Sequence, residues 1–130
     1  MPDLNVVAVL VASISTFVLS SIYYAALAKQ WATVSEAAAH GSGRPGPRKA
    51  ALELARTLIL ATVVAGLAAR GEIDHPGGGL LLGLTLWVGF PFVLWTGAMI
   101  WESTPWKLAA IHAGDWLVKL LVIALIVSVW

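Results

Sequence analysis

The chain has 130 residues and a formal net charge of +1; it is 59% hydrophobic and only 12% charged. Soluble domains carry about one quarter charged residues, so an ordinary soluble domain is excluded, and no basic stripe points to nucleic acid. The absence of cysteine removes disulfides, thiolate chemistry and cysteine metal sites.

Four apolar segments follow one another. The first, Leu4 to Ala28, holds no charged residue, and its 25 positions suffice to cross a hydrocarbon core of about 30 Å with some tilt. "AALAKQ" offers a small-x-small pattern at Ala26 and Ala28 that resembles a signal-peptide cleavage site. No Lys or Arg precedes the apolar run, however, and the run exceeds the roughly 7 to 15 residues of a signal core, so it is expected to remain as a span. Ala8, Ala12, Thr16 and Ser20 recur at four-residue spacing and form a candidate packing face, because helices in lipid approach closely through small residues.

A polar stretch, residues 29–49, comes next. Gln30 to His40 suits a short interfacial helix, and "GSGRPGPR", Gly41 to Arg48, a flexible linker. The second span, residues 50–69, is apolar apart from Glu53 and Arg56, and repeats the small-residue device with Ala61, Ala65 and Ala69. Arg70, Glu72 and Asp74 close it before "HPGGG". The third span, residues 77–101, is uncharged, carries Gly79 and Gly83 near its start, and should kink at Pro91. "STPW" opens the fourth, residues 105–130, with Ser103 or Thr104 as a candidate cap; Ala110 and Gly114 supply its small residues, and it should end at the membrane edge. The expectation is a single-domain all-α membrane protein, a four-helix transmembrane bundle over residues 1–130.

Lys29, Arg44, Arg48, Lys49 and Lys107 fall in two connections on one side, against Arg70 alone on the other. The bias places those two connections in the cytoplasm and both chain ends outside, in the cytoplasmic (inner) membrane of a cell. Tyr23, Tyr24, Trp31, Trp101 and Trp106 then gather at the cytoplasmic interface and Trp130 at the outer one. The basic residues of the first connection are read as topology signals and headgroup contacts.

The fourth span carries the chemistry. Its twelve Leu, Ile and Val residues between Leu108 and Trp130 favour insertion by about 6 kcal/mol, while Asp115 and Lys119 cost about 3 kcal/mol each. The sum is near zero, so this helix depends on partners. His112, Asp115 and Lys119 share one face at i, i+3 and i+7, and Glu53 and Arg56 form an i, i+3 pair in the second span. Two acids and two bases balance, and comparable depths along their helices make Arg56 to Asp115 the expected interhelix contact.

This cluster supports two function classes. As structural glue it holds the bundle together; as a proton or ion path it would use a histidine beside an aspartate in an oligomeric transporter. Its charge balance, and the lack of a matching acid in the first and third spans, favour glue. His40, His75 and His112 lie too far apart in this topology to share a metal, and no nucleophile elbow or phosphate loop is present, so no catalytic residue, metal or cofactor is expected and enzyme activity is not. The expected partners are the lipid bilayer and either further copies or other membrane proteins.

Several residues together resemble a known family: Asn5 at the head of the first span, Tyr23, Tyr24, Lys29 and Trp31 at its end, "WVGF" in the third, and "PWKLAAIHAG" opening the fourth. They are similar to bacterial small membrane proteins grouped as the domain of unknown function 1761 (DUF1761), over nearly the whole chain. The resemblance implies four membrane helices and no assigned activity. The chain departs from it in "YYAAL" and in His112 and Asp115, where the family pattern has Asn and an aromatic residue. The function expected is therefore that of a structural or interaction component of a membrane assembly.

Overall fold

The computed structural model describes residues 4–34 and 46–130, and contains only helices and connections among them. In chain order these are α1 (Val6–Ala26), α2 (Ala28–Val34), α3 (Pro47–Arg70), α4 (Pro76–Gly89), α5 (Pro91–Trp101) and α6 (Trp106–Val129). Four helical stretches are long and apolar enough to cross a membrane: α1, α3, α4 with α5, and α6. Exposed Ile14, Ile59, Leu81 and Ile100 project from them, as lipid-facing positions should.

The helix ends have local causes. Asn5 caps α1, its Oδ1 accepting the Ala8 N–H at 3.1 Å. Pro47 and Pro76 occupy first-turn positions of α3 and α4, where a missing N–H costs nothing. The "PGGG" segment thus begins a helix instead of only interrupting one. Neither Ser103 nor Thr104 caps α6, whose cap position is Pro105 without a side-chain hydrogen bond. Of the expected helix from Gln30 to His40, the described part, residues 30–34, is helical within α2; residues 35–45, which hold its remainder and most of the expected linker, lie outside the described residues, and Pro47 and Arg48 already belong to α3.

The third span is divided at Pro91. α4 ends at Gly89, Phe90 takes φ −122° and ψ −75°, and α5 starts at Pro91. Proline brings no N–H to the carbonyl four residues back, here that of Trp87, so the helical ladder loses a rung at mid-span.

α6 is the hub of the fold: α1, α2, α3, α4 and α5 all pack on it. α1 and α3 also pack on each other, whereas α3 and the α4–α5 arm meet α6 from different sides. The small-residue faces set these approaches. Ala8, Ala12, Thr16 and Ser20 are all buried, as are Ala61 and Ala65, with Ala68 completing the α3 stripe. A Cβ on Gly79 would lie 2.8 Å from the Ala124 carbonyl oxygen, and one on Gly83 2.8 Å from that of Leu120. Only glycine lets α4 lie this close to α6. Ala110, by contrast, is exposed, and its neighbour Ala109 is buried instead.

Candidate functional site

The hub helix carries the charges. Asp115 and Lys119 are 2% and 7% exposed, one turn apart on the buried face of α6. Lys119 Nζ lies 3.0 Å from Asp115 Oδ2 and 3.2 Å from Glu53 Oε1 on α3. The other oxygen of Asp115, Oδ1, accepts the hydroxyl of Ser20 on α1. Glu53 Oε2 in turn accepts Arg56 Nη1 at 2.6 Å. The result is a continuous chain, Ser20–Asp115–Lys119–Glu53–Arg56, that joins α1, α6 and α3 and alternates in charge. The face of Trp116, 5.3 Å from Lys119 Nζ, completes the ammonium's surroundings.

Burial makes this pairing necessary. Removing an ion from water costs several kcal/mol even after relaxation, and only close opposite charges with filled hydrogen-bond positions offset it. Lys119 has two carboxylates, and Asp115 has a cation and a hydroxyl.

The expected contact between Arg56 and Asp115 does not form. Asp115 turns to Ser20 on α1, and Glu53 is the α3 residue that reaches α6, through Lys119. Arg56, 300° further round α3 from Glu53, is thereby directed outward, its side chain 65% exposed. The expected contact rests on comparable depths along the two helices, whereas the observed register pairs Glu53 with a residue one turn beyond Asp115.

His112 stands beside this chain of charges, outside it. Its Nδ1 is 2.6 Å from the Tyr24 hydroxyl, its ring stacks on Trp95 at 5.0 Å between centroids, and Trp31 meets it edge-on at 6.1 Å. Among the described residues, the indole N–H groups of Trp31 and Trp95 are buried and meet no hydrogen-bond partner. Tyr23 donates to the Ile111 carbonyl at 2.7 Å, crossing Gly114 so closely that a Cβ there would collide with the tyrosine hydroxyl. Trp87 donates its indole N–H to the Ala113 carbonyl at 2.8 Å. Gly114 is therefore a seat for Tyr23 of α1.

Ser20, Trp87 and Trp95 are the site residues that sequence reasoning missed as polar or aromatic partners. Ser20 was visible only as a small residue at the end of the α1 stripe; its position at the tyrosine-bearing end, level with the start of α6, was the available signal. Among the described residues no group of three His, Asp or Glu side chains stands close enough to hold a metal ion. His75 lies in the α3–α4 connection, 3.6 Å from Asp74, and His40 lies outside the described residues.

What this arrangement does chemically is fix charge in place. Each buried ion is neutralised from within the chain, and the three helices so joined cannot slide or rotate without exposing one of them. Neither a curated protein nor a solved structure matches the chain. The family model described as "Protein of unknown function (DUF1761)" matches residues 7–128, from the second residue of α1 to the penultimate residue of α6. The chain thus belongs to the DUF1761 family of proteins of unknown function.

Proposed function

We propose that the chain is a non-enzymatic structural or interaction component of a membrane assembly, working as a homo-oligomer or beside other membrane proteins. The observation that supports this reading is the closure of the ion clasp. Asp115, Lys119, Glu53 and Arg56 satisfy one another inside the chain, whereas a transport site needs a charged group free to meet its substrate ion. Lys29, Arg48, Lys49 and Lys107 at the end where α3 and α6 start, against Arg70 at the other, support a cytoplasmic location for the former end of a cytoplasmic-membrane protein.

Proton- or ion-coupled transport is the competing reading, and one observation favours it: Glu53 is one-third exposed and links the clasp to the bundle surface. Reconstitution in vesicles enclosing a pH-sensitive dye separates the two. The structural reading expects the same proton and cation leak with wild-type protein, with the double variant Asp115→Asn/Lys119→Met and with empty vesicles. A wild-type flux that a folded double variant loses would establish transport instead.

A further inference from the structure

Between α3 and the α4–α5 arm, with α6 as its floor, lies an apolar groove of about 550 Å³. Such a volume suits a small-molecule ligand. Leu60, Val63 and Leu67 wall it on α3, Phe90 and Leu94 on the other side, and Trp116 lies at its base. The cause is the hub architecture. α3 and the α4–α5 arm both rest on α6 and leave a cleft between them that the described chain does not fill.

One charged residue lies in line with this groove. At 100° per residue Arg56 falls within about 40° of Leu60, Val63 and Leu67, and precedes Leu60 by one helical turn. It stands at the end of the groove toward which α5 descends, because α3 and α5 run in opposite directions along α6. About 13 Å along the axis from Pro47, its side chain is long enough to reach back toward the headgroup layer. Among the described residues the guanidinium spends only Nη1, on Glu53, while five N–H donors are available to it. Glu53 thus meets one edge of the guanidinium, and the exposed remainder still has donors to offer an anion from the lipid side.

We propose that the groove holds one acyl chain of an anionic phospholipid, with the lipid phosphate on the guanidinium of Arg56. The groove supplies an almost wholly apolar slot, aliphatic side chains with Phe90 and Trp116 among them, and Arg56 supplies the planar donor fork that suits a phosphate. A second copy of the chain is a poorer occupant. A two-fold axis along the membrane normal through this groove would bring the Arg56 residues of both copies to the same depth on facing surfaces, with like charges opposed in a medium of low dielectric. This inference does not rest on the structural reading of the clasp; it concerns the outer face of α3.

The test measures binding to the purified protein in a neutral detergent by native mass spectrometry, using palmitoyl-oleoyl phosphatidylglycerol, palmitoyl-oleoyl phosphatidylcholine and oleate as probes. One phosphatidylglycerol per chain is expected, with about fivefold preference over phosphatidylcholine, the factor expected of one basic residue near an anionic headgroup. Arg56→Gln should abolish the preference while leaving a folded protein, since Glu53 keeps Lys119. Val63→Trp, which fills the groove without touching Arg56, should weaken both phospholipids. In parallel, phosphatidylglycerol with brominated chains should quench tryptophan fluorescence less in Trp116→Phe than in wild type. Equal binding of the two phospholipids by wild type, a preference that survives Arg56→Gln, oleate binding as tight as phosphatidylglycerol, or a two-chain species that Val63→Trp dissociates would each overturn the proposal.

Discussion

Lys119 of α6 reaches Glu53 of α3 at 3.2 Å while keeping Asp115 of its own helix at 3.0 Å. One ammonium thus serves as both an intrahelical and an interhelical partner, and its loss should cost more than the loss of either acid's contact alone. Lys119→Met leaves the carboxylate of Asp115 buried without its cation and should destabilise the fold by about 3 to 5 kcal/mol. Asp115→Asn/Lys119→Met removes the buried pair together and should recover most of that loss. Thermal unfolding in detergent, followed by circular dichroism, checks this; a double variant less stable than Lys119→Met would refute a charge-based clasp.

Glycines at Gly83 and Gly97 look alike in the sequence and differ in space. A Cβ at Gly83 would sit 2.8 Å from the Leu120 carbonyl oxygen, so α4 must move off α6, whereas a Cβ at Gly97 meets nothing within 4 Å. Gly83→Ala should lower the melting temperature by several degrees, an amount typical of a loss of about 1 to 3 kcal/mol by overpacking. Gly97→Ala should leave it unchanged or raise it slightly, since alanine restricts the unfolded chain more than glycine. The two variants measured side by side decide whether the small residues of α4 serve contact or merely composition.

The four spans were legible because a bilayer demands long uncharged runs, and charged residues within a run are few enough to stand out. The i, i+3 pair Glu53–Arg56 and the i, i+4 pair Asp115–Lys119 followed from helix periodicity alone. What periodicity does not carry is the rotation and register of one helix against another. In water an apolar stripe marks the inward face, but in lipid both faces are apolar, so the contrast that would orient α3 on α6 is missing. That is why the sequence points from Arg56 to Asp115 and does not reveal the part Ser20 plays. The division at Pro91 is legible from the proline itself, while the backbone angles that Phe90 adopts there are not.

Tyr24 of α1 and His112 of α6 form a polar contact outside the clasp, 2.6 Å from hydroxyl to Nδ1. Tyr24→Phe should cost about 1 kcal/mol, the usual net value of one hydrogen bond. It should also shift the Nδ1 resonance of His112 in nitrogen-15 spectra of histidine-labelled protein and leave that of His75, at the other end of the bundle, unmoved. Trp95→Leu should disturb the same resonance by removing the stacked ring. If neither substitution moves it, the aromatic surroundings described for His112 are not those of the protein in solution.

The absence of cysteine makes the proposed orientation directly measurable, because any single cysteine introduced is the only thiol in the chain. Thr33 lies in α2, beside the end where α3 and α6 start, and His75 lies in the connection between α3 and α4 at the opposite end. Both residues are away from the clasp, so His75→Cys and Thr33→Cys should fold as wild type. With the basic connections held in the cytoplasm, a membrane-impermeant maleimide applied to intact cells or spheroplasts should label His75→Cys and should reach Thr33→Cys only after permeabilisation. The opposite pattern would invert the topology, place Arg56 in the outer leaflet and move the proposed lipid contact to that side, while leaving the clasp and its predicted stability effects intact.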